Sequence, residues 1–512
     1  MAAAETTTAR AGSGAPGPGQ RTYGNFAKPQ SAGLLGLGTV GTYGLAFGAI
    51  LVIVVMATAG PLRASILAAV LALALLSIIR RDRHGSNVLD RSIVVIGWWA
   101  SRARGLNIYR SGPLGRTPWG TYQLPGVAAA STLAEHSDAW SRPFALLHHP
   151  TSSSFTIVLG SEPDGASLVD AHQVDRWVAA WGTWLADLSN IAGLEAASVT
   201  VETAPDHGAR LRNEVERRRD PHAPDFAQAM LAEISATYAM GSSSVRAYVA
   251  LTFSASLRAG GRKRRPGEVA QDLASRLPGL TATLSETGAG SVHPLDAQEL
   301  CAVIRVAYDP AVAPVLDRAR AAGSVPELSW SDVGPAAMQS SWDALRHDSG
   351  LSRTWAMTSA PKGNVFSSVL TNLLSPHPWV DRKRVTLLYR PIDPARAGDL
   401  VERDVAAAQF RATSRAKAVA RDTRAVRAAQ ATAAEEASGA GLVRFGMLVT
   451  ATVIDPERAR DAFAAVEGLA AGARLLVRPV HGSQESAFAG ALPLGLVLHK
   501  HLQLPTALRE AL

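Results

Sequence analysis

The chain has 512 residues, of which 47% are hydrophobic, with 51 Lys+Arg against 43 Asp+Glu and one cysteine. That length allows two or three domains. The single Cys301 excludes an intrachain disulfide and a four-cysteine zinc site, which suits a reducing compartment and a buried, inert thiol. A net charge of +8 serves an anionic lipid surface and a nucleic acid equally and does not separate them.

Residues 1–30 are rich in Ala, Gly, Thr and Pro and are expected to be disordered. An uncharged run from Pro29 to Leu62 follows, then Arg63, then a second run from Ala64 to Ile79. A helix needs about 20 apolar residues to cross a bilayer core, so 31–81 predicts a transmembrane hairpin turned at Gly60-Pro61. Arg10, Arg21 and Lys28 precede it and Arg80, Arg81 and Arg83 follow it, which places both ends in the cytoplasm of a multi-pass protein of the bacterial inner membrane. A rival reading takes Ala57-Thr58-Ala59 as a signal-peptide cleavage site; the long polar leader and the second apolar run argue against it. Gly36-x-Gly38-x-x-Gly41 has the spacing of a dinucleotide loop without the strand before it. Gly41, Gly44 and Gly48 are instead expected to pack helix on helix within the membrane.

Residues 82–125 predict a juxtamembrane segment and connector, with Trp98 and Trp99, ahead of Arg102 and Arg104, as interfacial anchors. An α/β subdomain follows over 126–308. In it, 154–159 and 198–203 read as strands, 245–253 alternates as a half-buried strand, and Val174, Trp177, Val178, Trp181, Trp184, Leu185, Leu188 and Ile191 form a helical core stripe. The proline- and glycine-rich 309–350 predicts a connector. A second α/β subdomain over 351–512 contains strands at 352–357, 384–389 and 443–453. It also holds one long basic helix over 395–436, whose Arg411, Arg415, Lys417, Arg421, Arg424 and Arg427 are candidate partner-docking residues. The two subdomains look related, but their sequence similarity is too weak to define a repeat. The expected fold class is a membrane-anchored α/β protein: an N-terminal transmembrane helical hairpin followed by a large mixed α/β cytoplasmic domain.

Catalytic motifs are missing. None of the six lysines follows a glycine and precedes Ser or Thr, so there is no phosphate loop. The pairs His148-His149 and His499-Lys500-His501 lack ligand partners at metal spacing. No G-x-S-x-G elbow occurs. Arg346-His347-Asp348-Ser349 reads as a polar turn held by its own hydrogen bonds, Pro361-Lys362-Gly363-Asn364 as an ordinary loop, and the basic runs 217–219 and 262–265 as solvated loops. No catalytic residue, metal or cofactor is expected.

The Tyr23-Gly24-Asn25-Phe26 lead, the glycine-rich hairpin and the Trp98-Trp99-Ala100-Ser101-Arg102 segment resemble the small two-helix inner-membrane subunit of type IV secretion and conjugation machines. From about 115 to 505 the chain resembles the N-terminal, non-motor region of the traffic ATPase that partners that subunit. The residues carrying this are Phe155 to Leu159, Val199 to Pro205, Arg346 to Gly350 and Lys383 to Pro391. Together the parts look like membrane proteins encoded beside conjugation genes in high-GC Gram-positive bacteria, a source that also fits the preference for arginine over lysine. The resemblance implies a non-enzymatic inner-membrane scaffold of a conjugative DNA-transfer or type IV-like secretion apparatus, oligomeric within a complex. Its partners would be membrane lipid, other secretion subunits and a separate P-loop ATPase; direct nucleic-acid binding stays open. The alternatives are a structural subunit of a type VII-like exporter and a membrane-bound enzyme.

Overall fold

The computed structural model describes residues 23–24, 26, 38–79, 82, 84–85 and 88–501, apart from short breaks at 114, 116, 164, 166–167, 207–208, 239–242, 258–260, 325–326, 362 and 414–419. The expected disorder of 1–30 and the loop residue Lys362 thus fall almost wholly outside the described residues. The chain divides into two compact units, one of 1–100, 358–367 and 392–442 and one of 101–357, 368–391 and 443–512.

The first unit is helical. Here α1 (Gly38–Ala59) and α2 (Pro61–Ile79) form a hairpin, and α3 (Val88–Ala103) follows. Gly60 takes a positive φ of 88° at the turn, where glycine carries no Cβ penalty. Gly48 is buried and a Cβ there would stand 3.5 Å from Leu71, so this glycine lets the two helices approach. The surroundings of Gly41 and Gly44 are outside what is described. Phe47, Ile50, Ile53, Met56, Leu62, Ile66, Val70 and Leu73 point outward.

Among the described residues no helix is long and apolar enough to cross a membrane. This corrects the membrane-anchored fold class, the transmembrane hairpin over 31–81 and the multi-pass inner-membrane placement. Trp98 and Trp99 stack edge to face in α3 with centroids 5.4 Å apart, and Trp99 is exposed.

The second unit is built on one antiparallel sheet of 13 strands. Its leading strands are β1 (Ile108–Arg110), β2 (Thr132–Ser137) and β3 (Pro143–His149). Next come β4 (Ser154–Glu162), α4 (Ala171–Asp187), β5 (Leu194–Pro205), α5 (Ala209–Arg218), α6 (Asp225–Tyr238), β6 (Ser243–Ser254), α7 (Pro266–Leu284) and β7 (Ser291–Pro294). After α8 (Ala297–Tyr308), α9 (Ala313–Ala321), β8 (Ala337–Ser340) and β9 (Leu345–His347), a similar series begins. It runs β10 (Gly350–Ser359), α10 (Thr371–Leu374), β11 (Arg382–Pro391), α11 (Pro394–Thr413), α12 (Ala420–Ala437), β12 (Val443–Val453), α13 (Ala459–Gly472) and β13 (Leu476–Pro479), before α14 (Gln484–Gly490).

The sheet order makes the likeness specific. In one half the neighbours run β7-β4-β6-β5 and in the other β13-β10-β12-β11, each the order of a split β-α-β unit. In both, a pair of helices is inserted between the second and third strands: α5–α6 in one, α11–α12 in the other. The halves meet edge to edge at β5 and β11, which pair antiparallel with Thr200 opposite Thr386. This is a structural duplication that weak sequence similarity conceals.

Alternation gives the sheet two different faces. One is apolar. Phe155, Ile157, Leu159, Val249, Leu251 and Phe253 pack under Trp184, Leu188, Leu273 and Leu277 of the first half. Trp355, Val385, Val449 and Ala451 pack under Leu373, Phe463 and Val466 of the second. Each such side chain, fully buried, contributes roughly 1.5–3 kcal/mol. The tryptophan stripe of α4 therefore belongs to the core, with Trp181 and Trp184 stacked 4.7 Å apart.

The other face is mixed: Leu147, Val158 and Ala250 pack with Phe488, Leu492 and Leu494, polar cross-strand pairs lie beside them, and the chain from 480 to 500 closes it. Cross-strand hydroxyl pairs Thr156–Thr252, Thr200–Thr386, Ser352–Thr452 and Thr354–Thr450 lie 2.7–3.0 Å apart. Thr252 and Thr386 also donate to the carbonyls of Gly495 and Ala491. Gln484, fully buried, accepts from the Thr354 N–H at 2.8 Å and donates to the carbonyls of Thr354 and Val480. Its amide completes the edge of β10 as a neighbouring strand would. Gln484→Leu orphans the Thr354 N–H and is expected to cost about 2 kcal/mol. The check is chemical denaturation with amide exchange at Thr354, and unchanged protection there would refute the role.

Candidate functional site

The residues singled out in the sequence are mostly employed in holding the fold. The 262–265 run organises the start of α7: Arg262 pairs with Glu268 at 3.1 Å, Lys263 donates to Ser153 at 2.9 Å, and Arg264 pairs with Asp272 at 2.8 Å. The Arg265 N–H donates to Glu268 at 3.0 Å, which completes the cap. His148 stacks on Phe155 at 4.5 Å, while His149 donates from Nε2 to the Leu494 carbonyl at 2.8 Å. Among the described residues no group of three or more His, Cys, Asp or Glu is placed to hold a metal ion. Burial pushes the Cys301 thiol up to about 12, out of reach of thiolate chemistry.

The 346–349 turn bonds outward rather than within itself. Asp348 accepts from the Ala337 N–H, and Ser349 donates to Asp309 at 2.5 Å. His347 bonds the Tyr308 carbonyl through Nδ1 at 2.6 Å and Ser352 through Nε2 at 2.7 Å. A serine on a histidine has the geometry of an activated nucleophile. Both residues are 0% exposed, so no substrate reaches them, and the pair is a core hydrogen-bond chain ending at Thr452.

The expected single helix over 395–436 is two helices. α11 and α12 form an antiparallel hairpin in the helical unit, with Gly398 near the start of one beside Glu436 near the end of the other. Arg415 and Lys417 lie outside the described residues, as does the side chain of Arg421. Arg411 is half-buried and donates to the Ala407 carbonyl, while Arg424 and Arg427 are exposed at i, i+3 on one face of α12. Phe410 is 61% exposed on α11.

The corresponding insertion of the first half carries a surface that sequence reading passed over. In α6, Phe226, Met230, Leu231 and Ile234 recur at helical spacing, yet they are 79%, 52%, 41% and 44% exposed. The seated side is narrow and lies next to Leu231, because Ala229, Ala232 and Glu233 are exposed as well. Ser235 is buried, and Gln228 donates to the Ala223 carbonyl at 2.9 Å and accepts from Arg219. Arg217, Arg218 and Arg219 at the end of α5 are exposed beside it. Exposed apolar side chains flanked by arginines have the composition of a candidate interaction surface. The spacing was visible in the sequence, but only the fold shows which side of the helix faces out.

A family model described as a domain of unknown function, DUF8461, matches residues 30–90, which take in α1, α2 and the beginning of α3. No curated protein matches the chain.

Proposed function

We propose that this chain is a non-enzymatic docking scaffold of a conjugative DNA-transfer or type IV-like secretion apparatus, recruiting a separate P-loop ATPase. The observation that carries the docking role is the outward apolar stripe of α6 beside Arg217–Arg219. Its assignment to such an apparatus rests on the resemblance of residues 115–505 to the non-motor region of traffic ATPases.

The test is affinity purification of the tagged full chain from its native cells, followed by mass spectrometry. A P-loop ATPase together with conjugation subunits is the expected catch. Phe226→Ser with Ile234→Ser should cut ATPase recovery about tenfold, equivalent to about 1.4 kcal/mol of binding. Equal recovery by the variant, or capture of type VII components instead, would overturn the proposal. Replacing Arg424 and Arg427 by Glu is expected to lower recovery severalfold if the α11–α12 hairpin also docks; unchanged recovery removes that hairpin from the interface.

A further inference from the structure

We infer that the sheet carries a site for a small amphipathic anion, an apolar body bearing one carboxylate or phosphate head, in the groove where β5, β11 and β12 pass under the closing segment. The groove has a volume of about 210 Å³. Its floor is a row of three residues in register, Ser198 opposite Leu388 and Leu388 opposite Gly446. Leu496 and Leu498 of the closing segment wall it from above. At roughly 30 Å³ per water-sized group, the space suits a short acyl or alkyl body.

Two residues further along the same strands, Arg390 and Arg444 stand directly opposite each other and line the groove on the same face. Like charges in direct register are destabilising. Burial and then the neighbouring Arg444 push the Arg390 pKa down, with Glu195 opposing. Glu195 itself is engaged by Lys500 at 2.6 Å, so its charge is shared. The Nε of Arg444 has no hydrogen-bond partner among the described residues. Neither has the Ser198 hydroxyl, which is 6% exposed and lines the groove. Buried polar atoms are nearly always bonded, and a head group between the arginines, with its body along Gly446, supplies what this cluster lacks. A Cβ at Gly446 would meet nothing within 4 Å, so the backbone there leaves room that any side chain would fill.

The experiment is isothermal titration of the full chain with octanoate, octyl phosphate, octanol and inorganic phosphate. Both amphipathic anions should bind at least about tenfold more tightly than octanol or inorganic phosphate, and the tighter of the two identifies the head group. Gly446→Phe, filling the groove, should abolish binding while the sheet stays folded. Arg444→Gln should weaken it about tenfold, and Ser198→Ala, which needs no new space, should weaken it severalfold even if Gly446→Phe fails to fold. Octanol binding as well as octanoate, or wild-type affinity in folded Gly446→Phe or in Arg444→Gln, would overturn the site.

Discussion

Replacing Glu202 by Gln is expected to lower stability by about 3–5 kcal/mol, the cost of removing one partner from a buried ion pair. Glu202 on β5 bonds both Arg382 and Arg384 on β11 across the seam between the duplicated halves. Arg384 is 2% exposed; it lies over Phe488 at 5.8 Å, and its Nη1 and Nη2 have no other hydrogen-bond partner among the described residues. Burial pushes the Glu202 carboxyl up, but the two arginines outweigh it and hold the pKa below the ordinary range. The carboxylate is therefore ionised at neutral pH, and its loss leaves two cations facing each other inside the sheet. In thermal unfolding the midpoint should fall by about 5 °C or more. The triple variant Glu202→Leu, Arg382→Met and Arg384→Met should recover most of the loss, because an apolar cluster of similar volume replaces the ion pair. A midpoint within 1 °C of wild type for Glu202→Gln would show that the seam does not depend on this charge.

How much of this was legible beforehand depends on the element. The strands at 154–159, 198–203, 245–253 and 443–453 announce themselves by alternation, because one sheet face is apolar and the other carries threonines. Pairing does not show in such patterns: nothing in Val199–Thr203 says that its neighbour will be Lys383–Leu387, almost two hundred residues on. The duplication was invisible for the same reason, since it resides in strand order and not in residue identity. The apolar runs at 38–79 read as a membrane hairpin from their hydropathy alone; the described residues hold no crossing helix. The 395–436 stretch read as one helix because its alanine and arginine continue through 414–419, where no proline or glycine marks a turn. The α6 stripe was readable as amphipathic, but amphipathicity alone assigns the apolar side to the core. Ser198, Gly446 and Arg444 could not be associated from sequence at all, because β5 and β12 are brought together only by lying on either side of β11.

Acid should weaken the fold in two stages, with Glu485 opposing two histidines. Burial lowers His347 and His149 from the usual 6.5 to about 4, against weaker upward pulls from the Tyr308 and Leu494 carbonyls. Below pH 6.5 the unfolded chain takes up two protons that the native state refuses, so stability falls as pH drops from 6.5 to 4. Each histidine contributes about 1.4 kcal/mol per pH unit to that fall. Burial raises Glu485 to about 7, so between pH 7 and its ordinary 4.5 the native state holds one proton that the unfolded chain lacks, and this acts in the opposite sense. Among these three groups the imbalance from pH 6.5 to 4.5 is one proton, a loss of about 1.4 kcal/mol per unit, to which His148, His377, His481 and His501, also lowered by burial, add in the same sense. Below 4.5 the glutamate no longer differs between the states, so the slope should at least double, and Glu202, which begins to protonate in the unfolded chain, steepens it further. Glu485→Gln removes the opposing group, so its stability should fall at about 2.7 kcal/mol per unit from pH 6.5 onward. Denaturation midpoints of both proteins at pH 7, 5.5 and 4.5 decide the matter. Parallel curves would mean that Glu485 is ionised in the native state, and a flat wild-type curve down to pH 4.5 would mean that the two histidines take up protons without unfolding the sheet they close.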